Sequence, residues 1–253
     1  MQIEGSAAIV TGAASGLGLA TARMLREQGG RVALLDLDGE RVAEAADSLG
    51  GLGVQCDVGD AASAEAALRK VVAAFPSPRI LVNCAGIAAG KRIVGRDEPM
   101  PLAEFERVVR VNLIGTFNIL RRVASEMTRH EPDQAGECGA IVNTASIAAF
   151  DGQIGQAAYA ASKGGVAALT LPAARELARH GIRVVGIAPG IFETPMLQGL
   201  PAEVQDSLGA SVPFPQRLGQ PNEYAALVRH VLENGMLNGE TIRLDGALRM
   251  PPR

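Results

Sequence analysis

An alternation between short apolar runs and longer amphipathic segments extends through all 253 residues and is the strongest constraint on the fold. The short runs are rich in Val, Ile, Leu and Ala, which is typical of strands buried on both faces of a parallel sheet. With no repeat and no linker between them, the segments predict an α/β fold with a doubly wound, parallel, seven-stranded sheet in a single domain, 1–253. The predicted strands are 7–11, 31–36, 53–56, 79–83, 139–143, 182–187 and 241–244. The predicted helices are 17–28, 40–49, 61–74, 102–128, 157–179 and 221–233.

Composition and charge exclude several classes of function. A net charge of −3 argues against a general role on nucleic acids or membrane surfaces, which requires a basic excess. No apolar run approaches the length of a membrane span, and the first residues lack the basic start and apolar core of a signal peptide. The three cysteines form no C-x-x-C pair and the three histidines are scattered, so neither a disulfide framework nor a metal site is expected. We therefore predict a cytoplasmic protein without nucleic-acid, membrane or metal partners.

A glycine-rich turn follows the first predicted strand and opens the first predicted helix. In this position, glycines let the backbone turn tightly and approach a pyrophosphate, which binds at the positive end of the helix. The spacing is G-x-x-x-G-x-G, and a plain turn remains the alternative to a cofactor loop. The position after strand one of a doubly wound, Rossmann-like sheet favours a dinucleotide. The candidate cofactor-binding residues of this loop are Gly12, Ser15, Gly16, Leu17 and Gly18.

Asp36 ends the second predicted strand, where an acid is expected to accept hydrogen bonds from the adenosine ribose hydroxyls. Its carboxylate would repel a 2′-phosphate, and neither Ser15 nor Leu37 supplies a cation to neutralise one. The sequence therefore predicts NAD in preference to NADP. The alternative is that Asp36 caps the next helix.

Two further polar segments lie at the carboxyl ends of predicted strands, the edge where ligands bind in such sheets. They are Asp57-Val58 after the third strand, and Asn83, Cys84, Ala85 and Gly86 after the fourth. A long proline-rich segment follows the sixth strand, and connections of that length are often functional. We therefore predict a substrate lid at about 190–215.

Three side chains between positions 143 and 163 have the types needed for proton transfer. Tyr159 and Lys163 are four residues apart, so both lie on one face of a helix. A nearby ammonium lowers the pKa of a phenol from about 10, which lets Tyr159 accept a hydroxyl proton during hydride transfer. Ser146 would hold the substrate oxygen. The alternative is chance, because a Tyr and a Lys at this spacing are common in helices.

These motifs together resemble the classical short-chain dehydrogenase/reductase family over essentially the whole chain. The matching motifs are Thr11-Gly-x-x-x-Gly-x-Gly18, Asp57-Val58, Asn83-Cys-Ala-Gly86, Asn112, Ser146, Tyr159-x-x-x-Lys163 and Pro189-Gly190. The resemblance implies a catalytic tetrad of Asn112, Ser146, Tyr159 and Lys163. Asn112 would anchor a water in a proton relay to Lys163, which would also bind the nicotinamide ribose. Tyr159, Lys163, Pro189, Phe192 and Thr194 join the candidate cofactor-binding residues, with Thr194 at the carboxamide. Cys84 departs from the second Asn that is common in the family.

Within that family, the chain is most similar to the type 2 3-hydroxyacyl-CoA dehydrogenase group, through segments such as 143–150, 212–215 and 238–247. This similarity implies NAD as cofactor, a short-chain (S)-3-hydroxyacyl-CoA as substrate and a homotetramer. The candidate substrate-binding residues are Ser146, Gln153, Gln156 and Tyr159. Lys91, Arg92 and Arg96 lie in a group-specific insertion, 88–101, and are either contacts for CoA phosphates or solvated charges. The alternatives are a dehydrogenase acting on a steroid, sugar alcohol or carrier-bound acyl chain, and a non-catalytic NAD-sensing protein.

Overall fold

A single parallel sheet of seven strands forms the centre of the molecule, as the sequence predicts. The computed structural model describes residues 1–96, 98–199 and 201–252, so Asp97 of the predicted insertion and Leu200 of the predicted lid lie outside it, as does Arg253. The strand order is β3-β2-β1-β4-β5-β6-β7. The strands are β1 (Ala7–Thr11), β2 (Arg31–Asp36), β3 (Leu52–Gln55), β4 (Pro78–Asn83), β5 (Gly139–Thr144), β6 (Ile182–Pro189) and β7 (Thr241–Leu244).

Helices connect the strands and cover both faces of the sheet. They are α1 (Gly16–Glu27), α2 (Gly39–Leu49), α3 (Ala61–Ala74), α4 (Leu102–Val109), α5 (Gly115–Met127), α6 (Ala157–Leu177), α7 (Pro195–Gln198), α8 (Ala202–Ala210) and α9 (Pro221–Glu233). The short helices α7 and α8 fall inside the predicted lid. Among the described residues, none of these helices has the length and hydropathy that crossing a membrane requires.

Side-chain alternation along each strand explains why the strands are apolar on both faces. Val10 of β1 joins a buried cluster with residues of α1, α2 and α9, whereas its neighbour Ile9 joins a second cluster with residues of α3, α5 and α6. Successive strand residues point to opposite faces, so both must be apolar when helices cover both faces. Burying one such side chain stabilises the fold by about 1.5–3 kcal/mol.

The strand order reverses beside β1, and this topology creates the site. β1 pairs with β2 on one side and with β4 on the other, so the crossovers leave it in opposite directions. A crevice opens at such a switch point, outside the carboxyl ends of the strands. The register aligns Thr11 with Asn83 and Asn83 with Asn143, so these strand ends lie side by side.

The predicted helix 102–128 is interrupted by a five-residue π-helical segment, Arg110–Ile114, between α4 and α5. The spacing of apolar residues in the sequence predicted one continuous helix and did not indicate this interruption. After this segment α5 packs closely, because a Cβ on Gly115 would lie 2.6 Å from Val58 Cγ2. π-helical turns of this kind are frequent at functional sites, and this one carries the buried side chain of Asn112.

Candidate active site

A cleft of about 540 Å³ lies at the carboxyl ends of the central strands. Most of the residues predicted from the sequence to bind cofactor or act in catalysis line it together. They are Gly12, Ser15, Gly16, Leu17, Gly18, Asp36, Asp57, Val58, Cys84, Ala85, Gly86, Ser146, Tyr159, Lys163, Pro189, Phe192 and Thr194. The predicted residues that do not line it are Asn83, Asn112, Gln153 and Gln156.

The glycine-rich turn brings backbone close to backbone, and this explains two of its glycines. Gly12 has a φ of +63°, and a Cβ there would lie 2.7 Å from the backbone nitrogen of Ala85. A Cβ on Gly18 would overlap the carbonyl of Gly12. The side chain of Ser15, the N-cap of α1, makes no capping hydrogen bond. The first turn of α1 therefore has no side-chain cap, and its residues Gly16, Leu17 and Gly18 line the cleft, as an anion-binding site at a helix N-terminus requires.

Asp36 connects this turn to the end of β2. Its Oδ2 accepts a hydrogen bond from Ala14 N at 3.0 Å, and its Oδ1 accepts one from Asp38 N at 3.2 Å. The N-cap of α2 is Asp38, which accepts from Arg41 N, so the alternative reading of Asp36 as the helix cap is wrong. Within the described residues that line the cleft, Lys163 is the one cationic side chain.

The turn after β4 is held by a residue whose role the sequence motif did not reveal. The Thr11 hydroxyl accepts hydrogen bonds from the backbone nitrogens of Cys84 and Ala85, each at 3.1 Å. By contrast, the side chain of Asn83 is buried away from the cleft and donates to Asn143 Oδ1 at 2.9 Å. Asn83 therefore shapes the turn beneath the cleft, and Thr11 sets how closely that turn approaches the glycine-rich loop.

Tyr159 and Ser146 both line the cleft. Ser146 Oγ accepts a hydrogen bond from Ala148 N at 3.1 Å, which holds the serine side chain in place. Burial raises the pKa of Tyr159, and the nearby Ser146 hydroxyl acts in the opposite direction. The sequence predicts a lowered pKa for this phenol. In the structure, the loss of solvation on burial is the larger effect.

Lys163 is buried and donates to the carbonyl oxygen of Thr144 at 2.7 Å. Its Nζ lies 6.0 Å from the centroid of the Tyr159 ring. Burial lowers the pKa of Lys163 to about 8, and Cys84 opposes the shift. The side chain is therefore mostly protonated at neutral pH, with its ammonium over the face of the Tyr159 ring.

Asn112 uses its amide to hold the chain that follows β4. Its Oδ1 accepts from Ile87 N at 2.8 Å, and its Nδ2 donates to Ile87 O at 2.9 Å and to Ser162 Oγ at 3.0 Å. Both N–H groups are committed to protein acceptors, so a relay water can reach Asn112 only at an oxygen. A Cβ on Gly86 would lie 3.2 Å from Asn112 Oδ1 and 3.5 Å from Lys163 Nζ, and this glycine keeps the space between them open.

Gln153 and Gln156 line a second, smaller pocket of about 390 Å³. Gln153 Nε2 donates to Pro251 O at 3.0 Å, and the amide of Gln156 bonds to Gln153. Arg92 of the predicted insertion lines the same pocket, and Lys91 N donates to Gly155 O at 2.8 Å. The structure therefore brings the two glutamines together with the insertion and the chain end, rather than with Tyr159.

Several cleft residues were not among the individual site residues predicted from the sequence, although Gly190 belongs to a family motif and Pro195 and Leu197 belong to the predicted lid. They are Leu35, Leu37, Cys56, Ile87, Ala88, Val111, Thr144, Ala145, Gly190, Pro195 and Leu197. Most of them adjoin a predicted residue or end a strand, and that adjacency was the available signal. Val111, for example, directly precedes Asn112 in the π-helical segment.

The family model described as short chain dehydrogenase matches residues 6–205. The chain belongs to this family. It is therefore an oxidoreductase of the short chain dehydrogenase type, as its sequence motifs predict. Proteins named 3-hydroxyacyl-CoA dehydrogenase type-2 are 52% identical in Bos taurus, over 99% of this chain and 97% of the relative, and 50% identical in Drosophila melanogaster, over 99% and 100%. A (3R)-3-hydroxyacyl-CoA dehydrogenase of Homo sapiens is 35% identical, over 98% and 97%.

Two solved structures of this family share the fold. A 3-hydroxyacyl-CoA dehydrogenase type-2 from Mycobacterium avium superposes with a TM-score of 0.95 at 43% identity, over 100% of this chain and 99% of that one. A 3-ketoacyl-(acyl-carrier-protein) reductase from Brucella melitensis, complexed with NADH, gives a TM-score of 0.87 at 29% identity, over 98% and 100%.

The residues of this chain fit a nicotinamide dinucleotide. The close backbone approach at Gly12 and Gly18 leaves the N-terminal end of α1 open to a pyrophosphate. Asp36, Ser146 and Tyr159 line the same cleft as this turn. When bound there, the nicotinamide ring supplies the acceptor or donor of the hydride.

Proposed function

We propose that this protein is an NAD-dependent dehydrogenase that reversibly oxidises an (S)-3-hydroxyacyl-CoA, with a short or 2-methyl-branched chain, to the 3-oxoacyl-CoA. The observation that carries the proposal is that Ser146, Tyr159 and the buried Lys163 line the same cleft as the glycine-rich turn. The names of the relatives that match over nearly the whole chain support the acyl-CoA substrate.

The residues of the cleft divide the work of alcohol oxidation. Tyr159 accepts the hydroxyl proton, because its phenol stands next to the group that holds the substrate oxygen. Ser146 donates a hydrogen bond to that oxygen, and its own orientation is set by Ala148 N. The Lys163 ammonium favours the phenolate and contacts the cofactor ribose, while Asn112 maintains the chain that borders both groups. Thr194 and Phe192 hold the nicotinamide end.

The preference for NAD over NADP rests on Asp36. Its carboxylate is oriented by Ala14 N at the edge of the glycine-rich turn, where the adenosine ribose would bind. The exposed neighbour Leu37 offers no charge to neutralise a 2′-phosphate. Both features favour a free 2′-hydroxyl.

A substrate panel tests the proposed reaction. Acetoacetyl-CoA should be reduced with a higher kcat/KM with NADH than with NADPH, and (S)-3-hydroxyacyl-CoAs should be oxidised faster than a steroid alcohol, a sugar alcohol or a carrier-bound 3-hydroxyacyl chain. Varying the acyl chain length and 2-methyl branching in the same assays defines the specificity. Preference for NADPH would contradict the role given to Asp36, and preference for the carrier-bound chain would favour the alternative dehydrogenase. Absence of turnover on every alcohol would favour an NAD-sensing protein.

Cations of the insertion are proposed to contact the phosphates of CoA. Lys91, Arg92 and Arg96 are exposed, and Arg92 lines the second pocket. Changing all three to Ala should raise KM for an acyl-CoA by about tenfold, since each charge-assisted contact at an exposed site contributes modestly. KM for an alcohol that lacks CoA should not change.

A control variant that loses the same number of positive charges separates the effect of lost contacts with CoA from the effect of a changed net charge. Arg23→Ala/Lys70→Ala/Arg175→Ala removes three exposed cations that line neither pocket. Steady-state kinetics of both triple variants gives the comparison. An equal rise in KM for the two substrates, or an equal rise in the two variants, would show that the insertion is only a solvated loop.

The assembly and compartment are further proposals. We propose a homotetramer in the cytoplasm, with cofactor and substrate bound in one domain, 1–253. Cys56, Cys84 and Cys138 are free thiols, which suits a reducing compartment. Packing within the chain explains part of the small-residue composition of α6, because a Cβ on Gly165 would lie 2.6 Å from Leu113 Cδ2. Light scattering gives the number of chains, and a mass other than four chains would overturn the tetramer.

A further inference from the structure

Three polar side chains contact one another at the carboxyl ends of β4 and β5, where Thr144 and Cys84 line the cleft and Tyr224 is buried. The Thr144 hydroxyl donates to Cys84 Sγ at 3.5 Å, and the Cys84 thiol donates to Tyr224 Oη at 3.7 Å. The hydroxyls of Tyr224 and Thr144 lie 2.7 Å apart. Either hydroxyl can be the donor in this pair, and the three side chains contact one another in a closed ring.

Tyr224 places a hydroxyl at a buried position where packing alone does not require one. The residue lies on α9, is 0% exposed and belongs to the apolar cluster that packs α1 and α9 against the sheet. Phe would fill almost the same space without placing a hydroxyl in an apolar environment, where an unpaired polar group is costly. The hydroxyl is therefore accounted for by its bonds to Thr144 and Cys84, and not by packing.

Thr144 is held from two sides of the sheet. It is the last residue of β5, and its carbonyl oxygen accepts the hydrogen bond from Lys163 Nζ on α6 at 2.7 Å. Its side chain bonds to Tyr224 on α9, 80 residues away in sequence. The two helices that bond to Thr144, α6 and α9, thus pack on opposite faces of the sheet.

We propose that Tyr224 is a positioning residue, which acts through Thr144 to fix the carbonyl oxygen that anchors the Lys163 ammonium beside Tyr159. This inference rests on the roles proposed above for Tyr159 and Lys163. Loss of the Tyr224 hydroxyl breaks two of the three bonds of the ring and lets the end of β5 relax. The Lys163 ammonium is then held less rigidly near the Tyr159 phenol. The phenolate is stabilised less, so the pKa of Tyr159 rises.

The titratable groups around this point come from three elements. They are Tyr159 and Lys163 on α6, Cys84 after β4 and Tyr224 on α9. Burial raises the pKa of both Cys84 and Tyr224, so these two groups stay neutral as the pH passes through the working range. A change in the pH profile near neutrality therefore reports on Tyr159 and Lys163.

The test compares Tyr224→Phe with Thr170→Val. Thr170 is 0% exposed on α6, and its hydroxyl donates to Val166 O at 3.1 Å, so the control also loses a buried hydroxyl bond. Oxidation of (S)-3-hydroxybutyryl-CoA with NAD should show a kcat about fivefold lower for Tyr224→Phe, the scale of one hydrogen bond. The acidic limb of its kcat–pH profile should move up by about half a pH unit. Thr170→Val should lower the thermal stability but leave kcat and the kcat–pH profile unchanged.

Two further variants keep the inference falsifiable. If Tyr224→Phe does not fold, Thr144→Val breaks the same ring and should move the limb in the same direction. In the double variant Thr144→Val/Tyr224→Phe, the shift should not exceed that of the larger single variant. The positioning role would be overturned if the acidic limb of the kcat–pH profile of Tyr224→Phe stayed at its wild-type position. Additive shifts of the limb in the double variant would overturn it as well. Retained turnover in Tyr159→Phe would instead overturn the proposed site.

Discussion

Changing Tyr159 to Phe is expected to lower kcat by about 10²–10⁴-fold, the contribution of a positioned acid–base group. The substitution removes the phenolic oxygen, which is the atom proposed to accept the proton, and leaves the ring near Lys163 in place. Affinity for NADH should stay close to that of the wild type, because the glycine-rich turn and Asp36 are unchanged. Single-turnover kinetics and fluorescence titration of NADH measure the two quantities separately.

The pH dependence of Tyr159→Phe provides a second, independent readout. In the wild type, the base must be deprotonated to oxidise an alcohol, so kcat for oxidation falls as pH drops through the apparent pKa of Tyr159. Burial places that pKa higher than an exposed phenol before the cationic neighbours act. The residual rate of the Phe variant should lack this limb. If Tyr159→Phe kept both its turnover and the acidic limb of its pH profile, another residue would be the proton acceptor.

Removing the carboxylate of Asp36 is expected to reduce the preference for NAD over NADP by about 100-fold, the scale of one or two charge-assisted hydrogen bonds. Asp36→Ala takes away the acceptor for the ribose hydroxyls and the negative charge that repels a 2′-phosphate. Adding Leu37→Arg should shift the preference further, because Leu37 lines the cleft and is 65% exposed. The ratio of kcat/KM values for the two cofactors measures the effect.

Glu40→Gln is the matched control for Asp36. Glu40 is an exposed acid in the first turn of α2 and does not line the cleft, and its substitution leaves the Asp38 cap intact. This variant should keep the wild-type cofactor ratio. A ratio that falls equally in both variants would mean that long-range charge decides the preference, and a ratio unchanged in Asp36→Ala would place the adenosine ribose elsewhere.

The tertiary structure changes the interpretation of particular residues that the motifs had grouped together. Asn83 and Asn112 both belong to family motifs, yet their amides are bonded to Asn143 and to Ile87 and do not line the cleft. Gln153 and Gln156 are close in sequence to Tyr159 but bond to each other and to the chain end. Sequence proximity did not indicate these contacts, because Asn143 is distant in the chain from Asn83 and Pro251 is distant from Gln153.

By itself, the sequence determined the seven strands, the glycine-rich turn, Asp36 at the end of β2 and the shared helix face of Tyr159 and Lys163. All of these follow from local rules, namely the period of side-chain burial, the backbone freedom of glycine and the spacing of one helical turn. Only the tertiary structure decided the π-helical turn at Asn112, the direction of the Tyr159 pKa shift and the bond between Tyr224 and Thr144. Desolvation and long-range hydrogen bonds depend on groups brought together from distant parts of the chain, and no local pattern records them.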